Sequence, residues 1–365
     1  MKKIVISGVN LFEGGPLSVL RDALTELSKN FSENYEIVAL VHKKELFEIP
    51  HVRYIEYPEI RRSWVKRIYF EYYGLRKISK NLNAYLWLSL HDMTPMVSSK
   101  IQAVYCHNPS PFFRLRWRDV AYEPRHAAFV LLYRYLYRIN LHRNKYVIVQ
   151  QCWLRKMFER MYHVNNVIVA HPTVMQLPLP NRVENIQKDS KREKFIFFFP
   201  AYPRVFKNPE VLLEAARILT GYPIEIWLTF SKQDGRYARS LVNRYNGLSN
   251  VKFLGRLTRS EVFERYEMTD CLVFPSLLET WGLPISEFKA TGKPMLLADL
   301  PYAHETIGEY KNVQFFDPNR APQLAILMRN IYRGSFRFSG SCGTENAPPF
   351  APNWNALFNL LLSAT

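Results

Sequence analysis

The sequence predicts an α/β protein made of two parallel βα domains. Three observations carry that reading. Short, often β-branched apolar runs alternate with longer amphipathic stretches. The alternation occurs in two series, one starting at residue 2 and the other at residue 195. Between them lies a charged, Pro-containing stretch, QLPLPNRVENIQKDSKREK, that reads as a linker over residues 176–194. A chain of 365 residues is long enough for two domains, each with a full core. Hydrophobic residues at 48% and charged residues at 22% exclude wholesale disorder, while 14 Gly and 4 Cys exclude a collagenous or disulfide-framed chain.

The first series begins with Lys2–Ser7, followed by a helical pattern over residues 16–29 and a strand over 36–41. Residues 64–79 read as a helix, and 84–88, 101–105 and Tyr146–Val149 as further strands. The opening Met-Lys-Lys and apolar run resemble a signal peptide, but Gly8 and Asn10 interrupt the run and no small-residue cleavage site follows. A buried first strand is the expectation. The second series contributes FIFFFP, IEIWLTF, VKFLG, CLVFPS, PMLLAD and VQFF. The tail, residues 353–363, has helical apolar spacing suited to packing back across the seam between domains. The expected division is therefore residues 1–175, a linker over 176–194, a second domain over 195–350 and a returning helix within 351–365. Cys106, Cys152, Cys271 and Cys342 form no C-x-x-C pair, a pattern of thiols in a reducing compartment. The apolar stretch 127–137 is far short of ~20 residues and contains Arg134, so no spanning helix is expected.

Ligands of open α/β sheets bind beyond the carboxyl ends of the strands, so the strand-end loops are where chemistry belongs. After the first strand comes GVNLFEGGP, in which Gly14 and Gly15 admit close approach of a ligand to a helix N-terminus. A plain turn explains the same residues, and the G-x-G-x-x-G fingerprint is absent. The loop PAYPRVFKNP places Arg204 and Lys207 at a strand end ahead of a helix, an arrangement suited to a diphosphate; a solvated basic loop is the alternative. The densest stretch runs over residues 271–299, CLVFPSLLETWGLPISEFKATGKPMLLAD. It carries Glu279 in a loop, a Trp281-Gly282-Leu283 turn that opens a helix, and Glu287 on that helix. Carboxylates there accept bonds from sugar or ribose hydroxyls, although two glutamates eight apart are commonplace.

ETWGLPISE, followed by KATGKPMLLADLP and preceded by VKFLGRL, resembles the retaining glycosyltransferases of family 4. Their pattern is a Glu, seven residues, a second Glu, then A-x-G-x-P-V and a short strand. Here Trp281 stands where Phe is common and Met295 where Val is common. The resemblance implies a GT-B fold, two Rossmann-like domains with a cleft between them, the first on the acceptor side and the second holding the donor. It implies that Glu279, with the backbone of Gly282 and Leu283, holds the donor sugar and phosphate, and that Glu287 binds the ribose hydroxyls. Arg204 and Lys207 would neutralise the departing diphosphate, Gly15 would give it room, and Arg256 would border the base. Arg204 and Lys207 are closer together than in many members, which weakens the match at Arg204. His107, in VYCHNPSPFF, matches a sugar-contacting histidine; a structural hydrogen-bonder is its plain alternative. His91 and Asp92, in LWLSLHDMTP, end a strand and are candidates for meeting the acceptor, with a capping turn as the alternative.

A nucleotide-diphosphate sugar is the expected donor, with no cofactor. Without a D-x-D triplet anywhere in the chain, no diphosphate-bridging metal is expected, so basic side chains take that role. The net charge of +17 concentrates partly in residues 61–77, net +5, and 112–145, net +6, both interleaved with aromatics. That composition suits an anionic membrane surface, a peripheral place on the inner face of the cytoplasmic membrane and a lipid-linked acceptor. Resemblance to capsule and O-antigen assembly enzymes implies a bacterial surface glycan as product. The competing readings are a GT-B-like sugar-nucleotide epimerase and a basic nucleic-acid-binding protein. The latter leaves Glu279 and Glu287 unexplained, so no nucleic-acid partner is expected.

Overall fold

The computed structural model describes all residues except Glu13, 174–193, 344–345 and 364–365; the side chains of Arg61, Arg62 and Trp64 are also outside the description. The chain folds as two compact units. The first comprises Met1–Phe112, Phe129–Thr173 and Asn346–Thr365; the second, Phe113–Ala128 and Val174–Glu345.

The first unit holds one sheet: β1 (Lys2–Ser7), β2 (Tyr35–Val41), β3 (Val52–Glu56), β4 (Ala84–Ser89), β5 (Ser99–Cys106), β6 (Tyr146–Val149), β7 (Val167–Ala170) and, late in the chain, Phe350–Ala351. Neighbouring strands pair in parallel, and the order runs from Phe350–Ala351 through β7-β6-β5-β4-β1-β2-β3. The second sheet contains β8 (Phe195–Phe199), β9 (Ile224–Leu228), β10 (Val251–Phe253), β11 (Cys271–Phe274), β12 (Met295–Ala298) and β13 (Val313–Phe316), ordered β10-β9-β8-β11-β12-β13 and again parallel. The strand that follows these in the chain, Phe350–Ala351, is β14. Both sheets have the doubly wound order 3-2-1-4-5-6, which reverses between β1 and β4 in one and between β8 and β11 in the other.

The helices are α1 (Gly14–Asn30), α2 (Trp64–Tyr69), α3 (Leu75–Leu82), α4 (Trp117–Tyr122), α5 (Pro124–Arg138), α6 (Cys152–Tyr162), α7 (Pro209–Ile218), α8 (Arg236–Tyr245), α9 (Arg259–Met268), α10 (Leu283–Lys289), α11 (Pro301–Ile307), α12 (Ala321–Tyr332) and α13 (Trp354–Ser363). Central strands are buried on both faces, hence their continuous apolar runs: Ile4, Val5 and Ile6 are fully buried. On one face of the first sheet, α1 and α13 share a core in which Leu20, Leu24, Leu357 and Phe358 pack together. Gly8 permits that packing, since a Cβ there would lie 2.6 Å from Leu20 Cδ2.

Three differences from the expected organisation have physical causes. The single helix expected over residues 64–79 is instead α2, a π turn over Phe70–Gly74, and α3. The turn inserts Glu71 into the interior, where it is buried. Strand β3 is an edge strand with a half-exposed burial pattern, so it lacks the continuous apolar run that marked its neighbours. The domain division is not sequential. Residues 113–128 pack with the second unit, and 346–350 join the first because Phe350 and Ala351 pair with Val169 and Ala170 of β7. The returning helix α13 lies in the first unit, where Asn355 Nδ2 donates to Glu26 Oε1 at 2.9 Å. The expected linker lies outside the described residues except for Lys194, whose Nζ is 3.6 Å from Glu225.

Candidate functional site

Where strand order reverses, adjacent strand-end loops diverge and leave room for a ligand. In the second unit these are the loop after β8, which carries Arg204 and Lys207, and the loop after β11, which carries Glu279. The structure joins them directly. Lys207 Nζ lies 2.5 Å from Glu279 Oε1, with side chains only 19% and 11% exposed. The Leu277 N–H donates to Phe206 O at 2.7 Å, tying the two loops through the backbone. Asn208, at φ +53, ends the turn Val205–Lys207 and donates through Nδ2 to Pro318 O at 2.7 Å. Lys207 Nζ also stands 5.7 Å from the ring centre of Phe274, the last residue of β11.

Gly282 precedes α10 at φ +83, left-handed backbone that a side chain would strain. Around it, Trp281 Nε1 donates to Ser286 Oγ at 2.9 Å, Thr306 Oγ1 donates to Trp281 O, and Tyr302 OH donates to Ser276 O at 2.7 Å. The turn of Gly282 and Leu283 is therefore held from α10 and α11.

The remaining charged residues of this unit's site form pairs. Arg204 Nε lies 3.1 Å from Glu123 Oε1. Arg256 Nε pairs with Asp234, and its guanidinium lies over the Tyr202 ring at 4.8 Å. Glu287 accepts from Arg259 Nη2 and from Tyr266 OH, each at 3.1 Å. The sequence offered Arg204, Lys207, Arg256 and Glu287 as groups for a ligand; in the structure each already has an opposite charge beside it. Burial is the largest single influence on Asp234 and raises it, but the bonds from Ser231 and Arg256 together outweigh it and hold the carboxyl below the usual carboxylate range.

Glu123, Asp234, Arg259 and Tyr266 were missed in the sequence. Glu123 is 82 residues from Val205, whose N–H it accepts, and no local pattern announces such a contact. Asp234 had a readable signal, since Ser231 and Asp234 form a capping box.

In the first unit, His91, Asp92 and His107 come together at the ends of β4 and β5. Their places differ from the expectation for His91 and Asp92, because both are buried and engaged internally. His91 Nε2 lies 3.1 Å from Ser7 Oγ and 3.3 Å from Glu71 Oε1. Burial drives this pair toward neutrality, raising Glu71 to about 8 and lowering His91 to about 3. Asp92, at φ +69, accepts through Oδ1 from His107 N–H at 2.7 Å, Asn108 N–H at 3.1 Å and Tyr137 OH at 2.8 Å. It acts as the capping turn, shaping the loop that presents His107. The His107 ring Nε2 stands 3.7 Å from Asp92 Oδ2, beyond hydrogen-bond reach. At the start of α1, a Cβ on Gly15 would meet nothing within 4 Å.

Among the described residues no group of three or more His, Cys, Asp or Glu is placed to hold a metal ion. No helix among them is long and apolar enough to cross a membrane. Exposed apolar side chains of the first unit include Val65, Tyr69 and the following Tyr73 near α2, and Leu131, Leu132 and Tyr135, 57–67% exposed, on the part of α5 after residue 128. Lys66, Arg134 and Arg138 are exposed beside them. Arg67 departs from that surface, its charge acting inward on Glu71 and Tyr133.

Residues 181–336 match the family model described as Glycosyl transferases group 1. The chain is 24% identical over 251 residues to the O-antigen chain mannosyltransferase RfbU of Salmonella typhimurium, a match covering 67% of this chain and 65% of that protein. It is 32% identical over 114 residues to the D-rhamnosyltransferase WbpZ of Pseudomonas aeruginosa, covering 30% of this chain and 29% of that protein. The match spans less than two thirds of either relative's length. Among solved structures, WaaG, a glycosyltransferase involved in lipopolysaccharide biosynthesis, aligns with a TM-score of 0.62 at 15% identity, covering 90% of each chain. The fold is GT-B.

Proposed function

We propose that this GT-B chain, whose residues 181–336 match the glycosyl transferases group 1 model, moves a sugar from a nucleotide-diphosphate donor onto a growing, lipid-linked bacterial surface glycan. The observation that carries the reading is the Lys207–Glu279 pair at the point where the second sheet reverses its strand order. It joins the loop of Glu279, which lies in the stretch that carries the resemblance to family 4, to the loop whose Arg204 and Lys207 that resemblance sets against the diphosphate. The names of the relatives, both transferases of sugars and one acting on O-antigen chains, support the product class.

In this reading, the bond between the anomeric carbon and the diphosphate oxygen breaks, leaving negative charge on the diphosphate. Lys207 carries three donors, so it keeps Glu279 and still donates to phosphate oxygens. Arg204 is held through Nε, and the N–H groups of its two terminal nitrogens face the same task. Fixed cations need no reorganisation as charge develops, the usual source of most catalytic stabilisation. Glu279 and the Gly282–Leu283 backbone hold the donor sugar, Glu287 the ribose, and Arg256, lying over Tyr202, borders the base. His107 contacts the transferred sugar and Gly15 leaves space for the diphosphate. Transfer retains the anomeric configuration and needs no bridging metal. Arg134 and Arg138, with Leu131, Leu132 and Tyr135, dock the protein on the inner face of an anionic membrane, where each basic residue contributes about 1 kcal/mol.

A thermal-shift panel of nucleoside diphosphates and their hexoses tests the donor class. A ligand at about 100 times its dissociation constant adds ~2.7 kcal/mol of stability. One nucleotide series should stabilise the protein, and transfer should require an acceptor. Conversion of the donor to an epimer without acceptor would favour the epimerase reading instead.

A further inference from the structure

Residues 113–128 are flanked on both sides by the first unit's chain, yet they pack within the second unit. Their attachment is specific. Arg116 donates to Asn319 Oδ1 at 3.1 Å, Arg118 pairs with Glu210 at 2.7 Å, Tyr122 OH meets Ser240 Oγ at 3.0 Å, and Phe113 and His126 lie against Phe206. Within this segment is Glu123, 13% exposed, and both of its carboxylate oxygens are committed to the loop after β8. Oε1 faces Arg204 Nε at 3.1 Å, and Oε2 accepts the Val205 N–H at 2.9 Å.

Val205 opens the one-turn helix Val205–Lys207, and its N–H, like any first N–H of a helical turn, has no acceptor within the turn. No side chain of Arg204, the residue at the cap position, fills that place. Glu123 does so from 82 positions away in the chain, and with the same carboxylate fixes the direction of the Arg204 guanidinium. We infer that Glu123 is a positioning residue for the diphosphate-binding loop, acting through Arg204 and the Val205–Lys207 turn. This rests on the reading that Arg204 and Lys207 bind the donor's diphosphate.

Two effects oppose each other when Glu123 is removed. Loss of its negative charge favours any anion nearby, but Glu123 and Arg204 form a neutral pair whose field falls off faster than that of a charge. At physiological salt the screening length is about 8 Å, which trims the long-range part further. Against this stand a long side chain released from one geometry and a turn released from its cap. Positioning therefore dominates.

The test measures dissociation constants for UDP, GDP, ADP, CDP and dTDP by calorimetry at about 0.15 M salt. For whichever nucleotide the parent binds best, Arg204→Ala and Lys207→Ala should each weaken binding at least tenfold. Glu123→Ala should weaken it at least fivefold in the parent background and by a clearly smaller factor in the Arg204→Ala background, where only its hold on the Val205–Lys207 turn is left to lose. Tyr122→Phe, which loosens the same segment without touching the loop, should bind like the parent. A Glu123→Ala protein that stays folded and binds as tightly as the parent, or that loses as much affinity with Arg204 absent as with it present, overturns the inference while leaving the diphosphate reading standing. Parent-like binding by both Arg204→Ala and Lys207→Ala, or no nucleotide binding by the parent, overturns both.

Discussion

Lys207→Ala and Glu279→Ala should behave as two halves of one device, and the structure sets the size of the effect. At 2.5 Å, with side chains 19% and 11% exposed, the pair is screened far less than a surface ion pair but is not fully desolvated. Removing either partner leaves the other partly buried and uncompensated, a loss of about 1–3 kcal/mol in folding stability. Removing both leaves no orphan, so the double variant should lose at least ~1 kcal/mol less than the sum of the single losses. Catalysis adds a second, independent reading. In the proposed function, Lys207→Ala gives up a charge-assisted bond of ~1.5–3 kcal/mol to a phosphate that becomes more negative at the transition state. At ~1.36 kcal/mol per decade this is a drop of about 10- to 150-fold in turnover with saturating acceptor. Glu279→Ala should fall in the same range, because it releases Lys207 and, in the proposed site, the sugar as well. Urea midpoints at unchanged slope measure the first quantity and steady-state kinetics the second. Stability losses that add to within ~0.5 kcal/mol, or parent-like turnover in both folded single variants, would refute the coupling.

If Glu287 binds the ribose as proposed, Glu287→Ala should raise donor KM more than it lowers kcat, since ribose contacts change little during reaction; it should also destabilise the fold by about 1–3 kcal/mol, because the buried Tyr266 hydroxyl loses its acceptor. Transfer should persist in excess EDTA, and complete loss restored by magnesium or manganese would contradict the assignment to Lys207 and Arg204. Leu131→Ser, Leu132→Ser and Tyr135→Ser combined should reduce co-sedimentation with anionic vesicles without changing nucleotide affinity; undiminished pelleting would remove this face from the docking surface. Burial lifts Glu71 from 4.5 to about 8, so the native state keeps a proton that the unfolded chain has lost, and its contribution to stability declines as pH rises between those values. His91, lowered from 6.5 to about 3, contributes in the opposite direction and only below pH 6.5. Between pH 6.5 and 8 the parent should therefore lose up to about 2 kcal/mol that Glu71→Gln does not lose, as read by urea unfolding at each pH; equal slopes in both proteins would show that Glu71 is ionised when folded.

Local regularities decided what was readable from the chain. Continuous apolar runs of four to eight residues belong to strands buried on both faces, so the central strands β1, β4, β5, β8, β11 and β12 were legible. Strand β3, half exposed at an edge, and the two-residue β14 carry no such run. The Glu279–Glu287 stretch was legible because one loop and one helix carry its whole pattern within nine residues. The sequence alone thus determined the α/β class, the two series of strands and the loops where charged groups gather.

Only the tertiary structure decided what those charges face. The pairs Arg204–Glu123 and Lys207–Glu279 join residues 81 and 72 positions apart, and each forms because strand order and packing bring distant loop ends side by side. His91 and Asp92 read as a polar strand end open to a ligand, yet the π turn carries Glu71 inward to meet His91, and the loop after β5 supplies the N–H groups that Asp92 accepts. The same limit hid the placement of residues 113–128, whose own sequence does not say which core receives them. A side chain's spacing records its own helix or strand. Its partner is selected by the loop-closure and packing energies of the whole fold, which no local pattern contains.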